Sequence, residues 1–460
     1  METITGEKFE ELLKEQLQIF NKIIEFDNDF ILDIRSFQKF QITDCKFINK
    51  ALKIKDSSTS NSEQRFDILN NKVIDIENCE FLYLEITQYN DDLFLKNNIF
   101  HNFKISNCTL FDFIFSSNTI KKEFVIHTSR IIKDTLLYGN IFNDKSELSI
   151  IESKFNNKIA IGESNLHNLY LYDSEFDSLK FNDNTVNTNS FFNIANCVFV
   201  KSSFSDSDFA RYTILDNCTF TETAVFVKNG NLIHTEFQFR DCKFEKSLHF
   251  NQSAIREIKI YNCFFKDIAS FQNSYFLQIS IDKTIFDKLV LFDDLNIGNI
   301  NQCDRKTLRN IKQQLQKADN KIDYNRFRNY ELNAYYQELG WGWKSGFKDK
   351  FILFATKIST GFDHSWRRAL GFTLGFGLLF YSFFFISVNH HLEWDLSNWR
   401  EYGTGYFRFL IVTDFYSPLT NGREYISNTN FLGWIVFILG KIFIAFGIYE
   451  MIQAFRKFKA

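Results

Sequence analysis

One proline, Pro418, occurs in 460 residues, with only 18 glycines. A chain so poor in turn-formers and so rich in phenylalanine, with 57 of them, is unlike either a disordered polymer or an ordinary globular composition. The opening METITGEKFEELL has no apolar stretch of the signal-peptide kind. It sets the expectation that the long N-terminal part stays in the cytoplasm. No two cysteines stand at CxxC spacing, and no column of histidines accompanies them, so no metal and no other cofactor is expected. Positive charge is also scarce where a nucleic-acid binder would need it. The net charge of -3 divides into -11 over residues 1–301, +7 over 302–368 and +1 over 369–460. An acidic body argues against nucleic acid as a partner. A basic membrane-proximal segment suits anionic lipid.

What is present begins with two apolar runs. Residues 369–388 carry no charge, and 431–449 carry only Lys441. At 1.5 Å per residue, 19 residues reach roughly 28 Å, about one hydrocarbon core, so both read as transmembrane helices. The flanks orient them. Residues 302–368 hold 14 Lys/Arg against 7 Asp/Glu, and Arg456, Lys457 and Lys459 follow the second span. The intervening loop is mildly acidic. The positive-inside rule therefore predicts an inner-membrane, multi-pass protein with both termini cytoplasmic.

From about residue 41 to 301 the chain repeats itself. The unit [Asn/Asp]-Cys-x-[Phe/Leu] starts at Asp44, Asn78, Asn107, Asn196, Asn217, Asp241 and Asn262. Cys and Phe share a parity, so both face one side of an extended strand. Phe155, Phe176, Phe199, Phe220, Phe244, Phe265 and Phe286 recur every 21–24 residues. Half-period markers lie between them at Leu166, Val186, Phe209, Leu232, Ile255 and Phe276. A period near 22 with β-prone text and polar turns indicates a solenoid. Leucine-rich repeats need a helical return that this text does not supply. The fold class expected is an all-β solenoid, a right-handed β-helix, joined to an α-helical membrane domain with two transmembrane helices. About twelve coils at roughly 4.8 Å would give a rod near 55 Å. The acids Asp44, Glu163, Asp216 and Asp241 read as turn residues. No paired carboxylates of a carbohydrate-active β-helix stand out, so no enzyme is expected. The cysteines read as small interior hydrophobes.

Around the repeats, Phe9, Leu12, Leu13, Leu17, Phe20, Ile23 and Ile24 suggest an amphipathic helix over residues 7–26 that caps the solenoid. Residues 304–339 predict a helical hairpin broken at the polar 319–323. The organisation expected is a capping helix (1–30), a repeat domain (31–301), a helical juxtamembrane linker (302–368) and a membrane domain (369–460).

The Cys-x-Phe units resemble the pentapeptide-repeat family, whose repeats place a small and a large apolar residue in a β-helix interior. Here Cys197 with Phe199, and Cys218 with Phe220, take those places, in coils longer than that family's. The text from about 307 to 459 resembles the segment that joins such repeats to a two-span, ion-channel-like module in bacterial membrane proteins. The matching residues are Lys312, Leu315, Asp323, Tyr324, Phe327 and Glu331, then the run Trp366 to Leu370. In two-span channel subunits a pore helix and filter precede the inner helix. The stretch 406–418 stands in that order, with Thr413, Asp414, Phe415, Tyr416 and Pro418 at the filter-like place. No glycine occurs between Tyr406 and Asn421, which speaks against a potassium filter. An interfacial helix is the other reading of this stretch.

Gly433, Gly440 and Gly447 recur every seven residues, and Gly371 with Gly375 stand at GxxxG spacing, as helix-packing positions that favour a homo-oligomer. Lys441, near mid-membrane, is expected to face an aqueous lumen, with Asp414 as the nearest offsetting charge. His390 and His391 read as interfacial loop residues. Two functions follow as expectations. One is an oligomeric channel-like protein whose cytoplasmic β-helix docks a ligand or protein, by analogy a membrane-permeabilising effector in stress or phage defence. The other is a membrane-tethered scaffold without conductance.

Overall fold

Each corner of the repeat depends on one residue that accepts the left-handed backbone region. Asn78, Asn107, Asn196, Asn217, Asp241 and Asn262 have φ between 50 and 55°. Asn and Asp tolerate this region because their short polar side chains bond locally. The next residue then points inward as Cys79, Cys108, Cys197, Cys218, Cys242 and Cys263, each 1–2% exposed. Asp44, Glu163 and Asp241 are such corner residues, as expected. Asp216 is not. It ends the strand Tyr212–Asp216, and Asn217 makes the turn.

The computed structural model describes residues 1–35, 37, 39–55, 72–187, 189–228, 234–342, 346–362, 365–389, 399–419, 426 and 430–456. Leu232, His390, His391, Arg423, Glu393, Asp395, Glu424, Lys457 and Lys459 lie outside the described residues. The chain divides into two compact units, Met1–Thr307 and Leu308–Ala460.

The first unit is a parallel β-solenoid of about 13 turns. Its described strands fall into two sheets, and partners one coil apart, such as Phe199↔Phe220 and Phe220↔Phe244, pair in parallel. The phenylalanines therefore stack. Ring centroids lie 5.2, 5.2, 5.0, 4.7, 4.7 and 5.0 Å apart from Phe155 to Phe286, with nearly parallel planes. All are buried except the half-buried Phe286 at the end of the ladder. Of the half-period markers, Leu166, Phe209, Ile255 and Phe276 are buried, and Val186 is half-buried.

The corners also explain why the repeat is degenerate. Asn98 N–H donates to Asn118 Oδ1 (2.8 Å) and Asn118 N–H to Asn140 Oδ1 (2.9 Å), while their side-chain amides donate to Ile76, Leu95 and Phe115 carbonyls. Elsewhere the place is taken by serine or cysteine: Ser153 and Ser174 turn their hydroxyls onto the Ile151 and Tyr172 carbonyls of their own coil, while Ser207, Ser253 and Ser274 reach the Phe181, Phe226 and Phe250 carbonyls of the preceding coil at 3.0–3.4 Å. Cys197, Cys218 and Cys242 donate to Leu171, Ile194 and Leu215 carbonyls at 3.3–3.4 Å. Any small donor that reaches the preceding coil satisfies a buried carbonyl, so Asn, Ser and Cys exchange.

The N-terminal end departs from the expected long helix. α1 spans only Gly6–Gln16. Leu17 turns left-handed (φ 56°) and its N–H returns to Leu13 O at 2.9 Å, closing the helix. The strands Gln18–Phe20 and Lys22–Glu25 follow, the second pairing with Glu2–Thr5. The solenoid thus begins with the first residues rather than at residue 31. The β-branched Ile19, Ile23 and Ile24 favour strand. Phe9 of α1 sits edge-on against Phe26, Phe30 and Phe47, and is fully buried.

The second unit begins within α2 (Arg305–Lys317) and holds α3 (Lys321–Glu338), α4 (Phe347–Ser359), α5 (Trp366–Asn389), α6 (Trp399–Leu410) and α7 (Phe431–Arg456). Asn320 caps α3 by accepting from Asp323 N–H at 3.1 Å. Glu331 of α3 accepts from Arg309 Nε at 3.0 Å and from Lys312 Nζ at 2.5 Å. Two helices, Trp366–Val388 and Phe431–Arg456, are long and apolar enough to cross a membrane, with mean hydropathy 1.9 and 2.3.

Candidate functional site

The site is built where α6 meets the two apolar helices. With 12 residues α6 reaches only about 18 Å, too short to span. It begins seven residues before the stretch expected from the sequence, and its C-terminal half packs inward. Phe409 is fully buried with Tyr381 and Phe384 of α5 and Phe437 and Ile444 of α7. Two tyrosines tie the helices together. Tyr381 Oη donates to Tyr402 O at 3.2 Å, and Tyr406 Oη donates to Leu374 O at 2.8 Å.

Gly440 is where close approach is decisive. A methyl group there would stand 2.7 Å from the Phe409 ring and 2.9 Å from Phe380 Cβ. Gly433 and Gly447 face Ser387 and Thr373 of α5 in the same way, so this glycine face is occupied within the chain. Gly371 and Gly375 are different. Nothing lies within 4 Å of where their side chains would stand.

Lys441 is 5% exposed, where a water-facing side chain was expected. Its ammonium turns into the chain and donates to Phe409 O at 2.9 Å and Ile411 O at 2.5 Å, over the rings of Phe437 and Phe409 at 4.9 and 5.3 Å. The physical reason is the end of α6. Its last carbonyls have no helical partner and carry the negative end of the helix dipole, so a cation beside them is stabilised. Flanking aromatic faces add to this.

The filter-like residues form an irregular segment after α6. Asp414 lies 3.7 Å from Arg408 and accepts from Tyr416 N–H at 3.0 Å. Both contacts are local, and the Asp414 charge also acts on Lys441. Tyr416 is half-buried, Thr413 exposed, and Pro418 buried, with its carbonyl close to Gly405. A group that the sequence reading passed over is Glu450, 4% exposed on α7, which accepts from Thr360 Oγ1 at 3.1 Å. One acid in the last turns of an otherwise apolar helix was the available signal.

The eight cysteines are all free and buried, each with its thiol near a backbone carbonyl, and Cys45 lies against Cys79, as Cys242 does against Cys218 and Cys263, in a ladder one coil apart. No family model, curated protein or solved structure matches the chain.

Proposed function

We propose that the protein is an inner-membrane protein with both termini in the cytoplasm, in which α5 and α7 span the bilayer and α6 re-enters it as a channel-like element. The β-solenoid is then a cytoplasmic domain that docks a ligand or protein and biases an oligomeric pore. The observation that carries this reading is the seating of α6 between the two apolar helices with its carbonyl end closed by Lys441. A two-span anchor needs no third helix at that depth. Non-helical backbone within a bilayer is tolerated only where it is buried in protein or lines water, and the irregular segment after α6 needs such a setting. In this reading Lys441 occupies the place where the dipole of α6 would otherwise attract a cation, so moving or replacing it alters ion passage.

The similarity to pentapeptide repeats and two-span channels supports the reading, and a membrane-permeabilising effector in stress or phage defence is its furthest extension. Planar-bilayer recording of the full-length protein tests it. Wild type should give unitary currents, and Lys441→Leu should change their amplitude without preventing insertion. A reporter fused to the C terminus should be active only as a cytoplasmic type. Absence of current from both proteins would favour a membrane-tethered scaffold. That second reading has its own support, since Gly433, Gly440, Gly447 and Lys441 are all satisfied inside one chain.

A further inference from the structure

The open side of α5 lies beside α4, and between them runs a groove of about 700 Å³. Its floor is Gly371 and Gly375, both exposed and without neighbours, flanked by Phe372 and Phe376 of the same helix. Phe354 and Ile358 of α4 form the other wall. The groove is therefore smooth and apolar along the upper turns of α5. At its α4 end the chemistry changes abruptly to Lys357 and Arg368. Lys357 donates to Asn333 Oδ1 at 3.2 Å and lies over the Tyr336 ring, while the Arg368 guanidinium lies beside Gly361. The lining has two basic groups and no acid.

We propose that this groove binds one anionic phospholipid, with the phosphate on Arg368 and Lys357 and an acyl chain laid over Gly371 and Gly375. Guanidinium groups form paired hydrogen bonds with phosphate oxygens, and a nearby ammonium adds a point charge. The glycine floor removes the side chains that would fill the trough, which leaves room for one hydrocarbon chain. α4 is suited to lie at the interface beside that headgroup. It exposes Phe351 (56%) and Ile352 (60%) while carrying Lys348, Lys350 and Lys357. A free phosphate would satisfy the cations but not the trough, so the apolar half of the groove selects the lipid. The assignment rests on the membrane placement of α5 and α7.

The test is native mass spectrometry of the full-length protein released from nanodiscs of phosphatidylcholine with or without phosphatidylglycerol. One phosphatidylglycerol should stay bound, and the double variant Arg368→Gln, Lys357→Gln should retain it roughly tenfold less. Gly371→Leu with Gly375→Leu, at positions where nothing lies within 4 Å of an added Cβ, should also expel it while leaving both basic groups in place. Equal retention of both lipids by wild type would overturn the proposal, as would displacement of phosphatidylglycerol by inorganic phosphate. A smaller oligomer for the leucine variant, with lipid retention unchanged, would show that the trough holds a second copy of the chain and overturn it too. Alkaline carbonate extraction is run in parallel. Release of the protein from membranes would defeat the membrane reading, whereas firm retention without lipid selectivity defeats only the groove.

Discussion

Phe220 lies face to face with Phe199 and Phe244, with centroids 5.0 and 4.7 Å away, and is 1% exposed. Truncation to alanine removes a ring from the middle of a ladder that cannot close up without breaking strand register. Phe220→Ala should therefore cost about 3 to 5 kcal/mol, read as a lowered midpoint in chemical denaturation. The thiols respond to alkali. Burial pushes Cys108, Cys197 and Cys303 up to about 12. In the unfolded chain they ionise from about pH 8.5, so the folded state holds more protons above that value and stability falls as pH rises toward 12. Cys197→Ser should fold, since Ser153 and Ser174 fill the equivalent corner, and should lessen the alkaline loss in denaturation curves at pH 7 and pH 10. The same cysteines should resist maleimide until the protein is denatured. These inward positions were legible because a polar corner residue precedes a Cys and a Phe of equal parity. Asn98, Asn118, Asn140 and Asn184 were not, because Asn ordinarily signals an exposed turn. Here each is 0–2% exposed, with its amide turned onto the neighbouring coil.

Among the elements, the α2–α3 hairpin has the clearest electrostatic brace. Burial pushes the Glu331 carboxyl upward, but hydrogen bonds and charge from Lys312 and Arg309 outweigh it and hold the group below the usual carboxylate range. A depressed value in the folded state means that this contribution is complete above about pH 4.3 and lost as pH falls through the folded value. Glu331→Gln should weaken the hairpin by about 1 to 3 kcal/mol, with Arg309 half in water keeping the cost toward the lower end. Hydrogen exchange of α2 and α3 amides should accelerate in the variant at neutral pH, and wild type should approach it below pH 4. The hairpin was legible from its apolar stripes and polar break. α1 was overextended, since Leu17, Phe20 and Ile23 fit a helical period as well as the alternating strands they form. Only the apolar stretch from Tyr406 stood out, because the first turns of α6 hold Arg400, Glu401, Gly403 and Gly405. A side chain at Gly405 would stand only 2.7 Å from the Pro418 carbonyl, so that glycine serves close packing inside a helix.

At the scale of the whole molecule, the solenoid is modular in units of one coil. Val198 pairs with Thr219 and Phe199 with Phe220, a separation of 21 residues. Deleting residues 198–218 joins Cys197 to Thr219 and returns every following strand to an equivalent partner. That variant should keep a β-sheet circular dichroism spectrum and a cooperative melt, because repeat stability is approximately a sum over coils and their interfaces. Deleting half as many residues would place strands of one sheet opposite the other, and should abolish folding. The solenoid was legible as a whole because its period is written many times over. The packing of the second unit is written once, in single contacts such as Lys441 with the end of α6, and had no repetition to reveal it.

The parallel pairing also has a mechanical meaning. Backbone hydrogen bonds run along the axis of the coil stack, so a load applied between its two ends pulls on one interface at a time. A coil such as the one between Val198 and Thr219 releases 21 residues when it yields, roughly 70 Å of extended chain. Under tension the domain would lengthen in steps, like a tether let out turn by turn, and the untouched turns would stay folded behind the break.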